Sequence, residues 1–223
     1  MPSGALTPLQ ESILEALGEF EPRFVLTGGG ALVAVHLKHR KTRDLDLFWR
    51  DRRELGALVG QVRSHLEDQG LSVVDVQTSS AFHQLRVVKG TETCMVDLVA
   101  EPVPALEEPH RVMVGRASIL VDSPREILVN KLCALLSRSE VRDLQDLKAL
   151  LETGGDLEAA VADAPRKDAG FSPLTLAWTL RSLDERALAR ALDWSSEEIE
   201  ELGAFKASLI DRLLELSTPH DPS

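Results

Sequence analysis

The chain has 223 residues, 43% of them hydrophobic and 27% charged, enough for one sound core or a core with a small appendage. It contains no apolar run long enough to span a bilayer, and its first residues lack the basic stretch that opens a secretory signal. A net charge of −11 argues against a protein that binds nucleic acid through bulk electrostatics.

Taken in chain order, Thr7-Pro8-Leu9-Gln10 sets a capping threonine three residues before a glutamine, with proline at the first helical position. This predicts a helix running to about residue 20. A short apolar strand over residues 24–26 ends in Gly28-Gly29-Gly30. A short apolar helix is expected over 31–37, followed by a basic loop over 36–43 and the strand Asp44-Leu45-Asp46-Leu47-Phe48. Residues 52–69 are amphipathic and stop at Gly70. Extended runs follow at 71–77, 81–88 and 91–99, the last two flanking Lys89-Gly90 as a hairpin turn. Residues 112–121 read as another strand, broken near Gly115. Ser123-Pro124-Arg125-Glu126 is a second capping box, and the rest is helical, with later starts at Ser172-Pro173 and at Ser195–Glu198 and an end near residue 217.

This punctuation divides the chain into a mixed-sheet core, residues 1–122, and a helical region, residues 123–223. The acid is concentrated late: residues 139–223 hold 9 basic and 18 acidic side chains, residues 1–138 hold 16 and 18. Trp178 and Trp194 read as helix-packing anchors. Cys94 and Cys133 form no C-x-x-C or metal spacing and read as buried, apolar-like residues of a cytoplasmic protein.

The chemistry gathers around the aspartates. Side chains alternate along a strand, so Asp44 and Asp46 share one face while Leu45 and Leu47 point into a core. Aspartate is disfavoured in strands, yet two interrupt this apolar run. Two carboxylates one pleat apart suit a hard divalent cation such as Mg²⁺. The glycines permit close backbone approach, and the helix behind them turns free N–H groups towards a phosphate. They do not form a dinucleotide fingerprint, because Val33 stands where its final glycine would fall, and no G-x-x-x-x-G-K-[ST] occurs. Metal and phosphate on one platform are the equipment of phosphoryl or nucleotidyl transfer. The basic run Lys38, Arg40, Lys41 and Arg43 stands beside them, where it can grip a triphosphate or an RNA backbone. A further acid, Asp97, sits between Val96 and Leu98 in an otherwise apolar stretch, with Asp75, Glu92 and Glu101 as rivals.

The glycine pair, short helix and Asp-x-Asp strand resemble the signature of the DNA polymerase β-like nucleotidyltransferase superfamily. The finer pattern, Gly28-Gly29-Gly30-Ala31-Leu32 and then His39-Arg40-Lys41-Thr42-Arg43-Asp44-Leu45-Asp46-Leu47, is similar to the AbiEii/AbiGii toxin family. Residues 126–147 are similar to its downstream block, with Asn130-Lys131 and Ala134-Leu135 followed by Arg142-Asp143 and Asp146-Leu147. The departure is at Gly29-Gly30, where a serine or threonine is common, which leaves backbone amides as the phosphate ligands.

The resemblance implies an α+β fold: a polymerase β-like nucleotidyltransferase core, a mixed β-sheet flanked by helices, with the helical C-terminal region packed on it and contributing to the nucleotide site. It implies Mg²⁺ (or Mn²⁺) held by Asp44, Asp46 and Asp97, the third acid coming from a later strand. Gly28, Gly29 and Arg40 would surround the triphosphate and Lys131 would contact its β- or γ-phosphate. Asp143 would face the site, with Asp146 as the alternative. The activity implied is transfer of a nucleoside monophosphate from an NTP to RNA, tRNA especially, by a toxin with a cognate antitoxin. A small-molecule or protein acceptor suits the acidic composition better, and a non-catalytic binding or regulatory protein on the same fold is the third reading.

Overall fold

The computed structural model describes residues 6–37, 42, 44–190, 192 and 194–218. It divides into two compact units, Met1–Ile127 and Leu128–Ser223. Two buried acids of the first unit, Asp122 and Glu126, lie near this break. Asp122 pairs with Arg50 at 2.6 Å, and the Glu126 carboxylate accepts from the Leu106 N–H at 2.7 Å.

In the first unit, helix α1 (Pro8–Ala16) opens with the predicted box: Gln10 N–H donates to Thr7 Oγ1 at 3.2 Å and Thr7 N–H to Gln10 Oε1 at 2.9 Å. It ends earlier than expected. The chain turns at Leu17 and brings Gly18 against Ala117 so closely that a side chain at 18 would collide with it.

Seven strands form one mixed sheet: β1 (Val25–Thr27), β2 (Asp44–Arg50), β3 (Ser72–Thr78), β4 (Phe82–Lys89), β5 (Glu92–Glu101), β6 (His110–Val114) and β7 (Ala117–Val121), in the order β3-β4-β5-β2-β1-β7-β6. The pairs β2–β5 and β1–β7 are parallel and the others antiparallel. The hairpin at Gly90 (φ +61°) joins β4 to β5 with Lys89 opposite Glu92. The run expected as one broken strand over 112–121 is a second hairpin: Gly115 takes φ +56° and sets Val114 opposite Ala117. A left-handed turn residue there reverses the chain instead of merely bending it.

Two helical segments differ from the expected bounds. Helix α2 (Gly28–Ala31) includes the glycines and passes into one wider, π-type turn at Leu32–His36. Helix α3 (Leu58–Asp68) begins later than residue 52, because Asp51 (φ +58°) and Gly56 (φ +53°) hold the preceding segment out of right-handed helix. It buries Leu58, Val62 and Leu66.

The second unit is helical. Helix α4 (Pro124–Ser137) starts in the first unit and continues into it; α5 (Val141–Glu152), α6 (Leu157–Lys167), α7 (Pro173–Ser182), α8 (Glu185–Arg190) and α9 (Ser196–Ser217) follow. Ser172 and Ser195 cap α7 and α9, the latter with Glu198 as a full box. Ser123 Oγ likewise accepts from Glu126 N–H at 3.1 Å, but the Glu126 side chain goes to Leu106. Trp178 does not anchor packing. It is 64% exposed, because α7 buries Leu176, Ala177 and Leu180, and residue 178 lies on the opposite stripe with Leu174. Trp194 is half-buried. Among the described residues no helix is long and apolar enough to cross a membrane.

Candidate active site

Strand β2 alternates strictly. Leu45, Leu47 and Trp49 are 0–1% exposed on one face, while Asp44, Asp46, Phe48 and Arg50 lie half-buried on the other. Three registers then build a row across the sheet. Asp46 pairs with Asp97 of β5, Thr27 of β1 with Asp46, and Gln84 of β4 with Asp97. Residues directly opposite in a sheet project from the same face, so Gln84, Asp97, Asp46 and Thr27 stand side by side. Asp44 lies one pleat along, beside Met95.

The chain leaves β1 over this row. Thr27 is the extended residue before α2, and Gly28 then takes φ +60°, where a Cβ would run into the Asp46 carboxylate. Glycine is required there twice over, by its conformation and by the closeness of the acid. Gly29 and Gly30 are buried in the first turn of α2.

The rivals for the third carboxylate are engaged elsewhere. Glu92 accepts from the Leu9 N–H at 3.0 Å and Glu101 from the Val103 N–H at 2.8 Å. Asp75 binds His83 at 2.7 Å and also Arg63, which together hold its carboxyl below the usual range. Asp97 Oδ1 accepts from Gln84 Nε2 at 2.9 Å.

Among the described residues, no three or more His, Cys, Asp or Glu side chains close into a cage that would hold a metal by itself. What the sheet presents on one face is a set of half-buried carboxylates. Their oxygens are hard donors, and Mg²⁺ commonly takes only one or two protein carboxylates and completes its shell with water and substrate phosphate. The residues fit a cation of that kind.

Two features of the first unit were not legible beforehand. Gln84 is one; counting back from the turn at Gly90 places it opposite Asp97. The other is Arg50, two pleats beyond Asp46 on the same face, which reaches the fully buried Asp122. Burial pushes the Asp122 carboxyl up, against the pull of Arg50. Of the two cysteines expected to be buried, Cys94 is and Cys133 is only half-buried; burial pushes their thiols up to about 12 and about 11.

In the second unit, Lys131 is 6% exposed, and its Nζ lies 2.6 Å from Asp143 Oδ1 and 2.7 Å from Asp146 Oδ2. Asp143 and Asp146, one turn apart on α5, thus both face Lys131, and both are buried. Arg138 also forks onto Asp143, Nε to Oδ2 at 2.8 Å and Nη2 to Oδ1 at 3.0 Å. Burial works against the charge on Lys131 but the two aspartates outweigh it, so its pKa is raised. Burial likewise opposes ionisation of Asp143, and Arg138 and Lys131 hold it below the ordinary value. Arg40, with Lys38, His39, Lys41 and Arg43, lies outside the described residues.

The fold is that of nucleotidyltransferases, the α+β architecture expected. The chain is similar to MenT4, a nucleotidyltransferase toxin from Mycobacterium tuberculosis, at 19% identity over 95% of this chain and 82% of that one, with a TM-score of 0.62. It is similar also to JHP933 from Helicobacter pylori, at 21% identity over 94% and 92%, with a TM-score of 0.51. No curated protein sequence matches it. The family described as nucleotidyl transferase AbiEii toxin, type IV toxin–antitoxin system, matches residues 12–212, and the chain belongs to that family.

Proposed function

We propose that this nucleotidyltransferase transfers a nucleoside monophosphate from an NTP to RNA, tRNA in particular, using Mg²⁺ or Mn²⁺ held by Asp44, Asp46 and Asp97, as a toxin with a cognate antitoxin. The observation that supports it most directly is the register that sets Asp97 beside Asp46 on the face that also carries Asp44, under the turn at Gly28. When bound there, the cation supplies charge neutralisation for the triphosphate and lowers the pKa of an acceptor hydroxyl.

The protein groups have separate tasks. Gly28 and Gly29 let the backbone wrap the triphosphate. Asp44 and Asp46 would hold the cation that takes up the charge of the triphosphate. The acceptor oxygen attacks the α-phosphorus in line, the bond to the β-phosphate oxygen breaks, and pyrophosphate leaves. The acceptor proton passes to the Asp97 carboxylate or to water. Lys131, Asp143 and Arg40 are nucleotide-binding residues in this reading, carried over from the family motifs. A buried ammonium locked by two carboxylates is rigidly placed, and those contacts use two of its three N–H donors. The net charge of −11 favours a second reading, in which the acceptor is a small molecule or a protein side chain.

The test is to incubate the protein with each labelled NTP, Mg²⁺ or Mn²⁺, and total cellular RNA. Label should enter RNA with one preferred NTP, depend on the metal, and vanish in Asp46→Asn. Neutralising Lys38, Arg40 and Lys41 together should weaken RNA labelling and flatten its salt dependence. Labelling of small molecules or protein with none in RNA would select the second reading.

A further inference from the structure

We propose that Gln84 is a positioning residue: its side-chain amide holds the Asp97 carboxylate in the orientation that accepts a divalent cation, a role that rests on reading Asp44, Asp46 and Asp97 as the cation site. Gln84 Nε2 donates to Asp97 Oδ1 at 2.9 Å, and the two residues are directly opposite in the antiparallel pairing of β4 with β5. On this face the neighbours of Gln84 along β4 are Phe82, opposite Val99, and Arg86, opposite Met95. The residue that meets the acid is thus the uncharged donor of the strand, and the arginine is displaced by one pleat.

The choice of an amide has a physical reason. A lysine or arginine opposite Asp97 would neutralise the carboxylate and compete with a cation for it. A second acid would repel it, and an apolar side chain would leave it free to rotate about its terminal torsion. A neutral N–H donor fixes the plane of the carboxylate without itself cancelling the charge. Outer partners of this kind orient metal-binding carboxylates, and their loss commonly costs about 10–100-fold in metal affinity or activity. The hairpin that delivers Gln84 is closed by the two-residue turn at Gly90, so its register is set locally, and Leu85 and Val87 anchor β4 from the buried face.

The experiment titrates Mn²⁺ alone into the full chain, following the free-ion electron paramagnetic resonance signal, for wild type, Gln84→Met, Gln84→Asn and Asp97→Asn, with a thermal melt of each. Gln84→Met should weaken Mn²⁺ binding about 10-fold or more, with its melting temperature close to that of wild type. Gln84→Asn, whose amide is set back by one methylene, should fall between. A Gln84→Met titration that overlays wild type while Asp97→Asn loses Mn²⁺ would overturn the role of Gln84 and leave the cation site standing. An Asp97→Asn titration that overlays wild type would overturn both. Weakened binding in Gln84→Met with a matching fall in melting temperature would make Gln84 a structural residue and not a positioning one.

Discussion

Asp44, Asp46 and Asp97 lie half-buried on one face of the sheet, whereas Asp143 and Asp146 of the helical unit are 1% and 0% exposed and ion-paired with Lys131. The same side-chain chemistry serves two purposes. A carboxylate that is to share a cation with a substrate must stay accessible and negative. A carboxylate sealed from water must be matched inside the protein, since an unmatched buried charge is far costlier than a surface one. The first arrangement should matter for activity and little for stability, the second for stability first.

Substitutions test that contrast directly. Asp46→Asn is expected to abolish transfer while costing less stability than the loss of a fully buried charge; radiolabel transfer and urea denaturation read the two effects. A folded, fully active Asp46→Asn protein would break the comparison on its first side. Lys131→Met leaves two buried carboxylates without their shared cation and should destabilise by about 3–5 kcal/mol. Retention of Arg138 against Asp143 puts the expectation towards the lower figure. If Lys131→Met unfolds at the wild-type urea midpoint, the buried triad is not a stability element.

Gly28→Ala sharpens the comparison, because this glycine lies against the half-buried carboxylates and is geometrically constrained. A side chain at φ +60° that also meets the Asp46 carboxylate should cost about 1–3 kcal/mol and displace that acid, lowering activity more than stability alone explains. Wild-type kcat and KM in this variant would show that the turn does not position Asp46.

The smallest expected effect is in pH dependence, where two buried acids have opposite signs. The folded-state pKa of Asp143 is depressed, so its contribution to stability is complete above the unfolded carboxylate value of about 3.9 and is lost as pH falls through the folded value. That of Asp122 is raised, so it stabilises the fold below the unfolded value, and that contribution is lost as pH rises through the folded one. Asp143→Asn should therefore reduce the loss of stability in acid below about pH 4, and Asp122→Asn should remove a gain seen on lowering pH towards that value. Urea midpoints across a pH series would detect each, and a slope unchanged in either variant would remove that acid from the account.

Local patterns were legible in the amino-acid order because local physics determines them. Capping residues at Thr7, Ser172 and Ser195 act within one helical turn, the alternation of Leu45 and Leu47 with Asp44 and Asp46 follows from the pleat, and a left-handed glycine at Gly90 makes a hairpin wherever it falls between two strands. The family motifs around the glycines and Asp-x-Asp are short for the same reason. What the sequence left open were relations between segments far apart in it. The strand order brings Asp97 beside Asp46 across 51 residues of sequence, and the packing of α2 sets Gly28 on that acid. Arg50 finds Asp122, Lys131 takes both Asp143 and Asp146, and Trp178 turns outward because three smaller residues already fill the buried stripe of its helix. Such pairings depend on which surfaces meet once the apolar faces are buried, so only the tertiary structure decides which charges are brought together and how deeply each is buried.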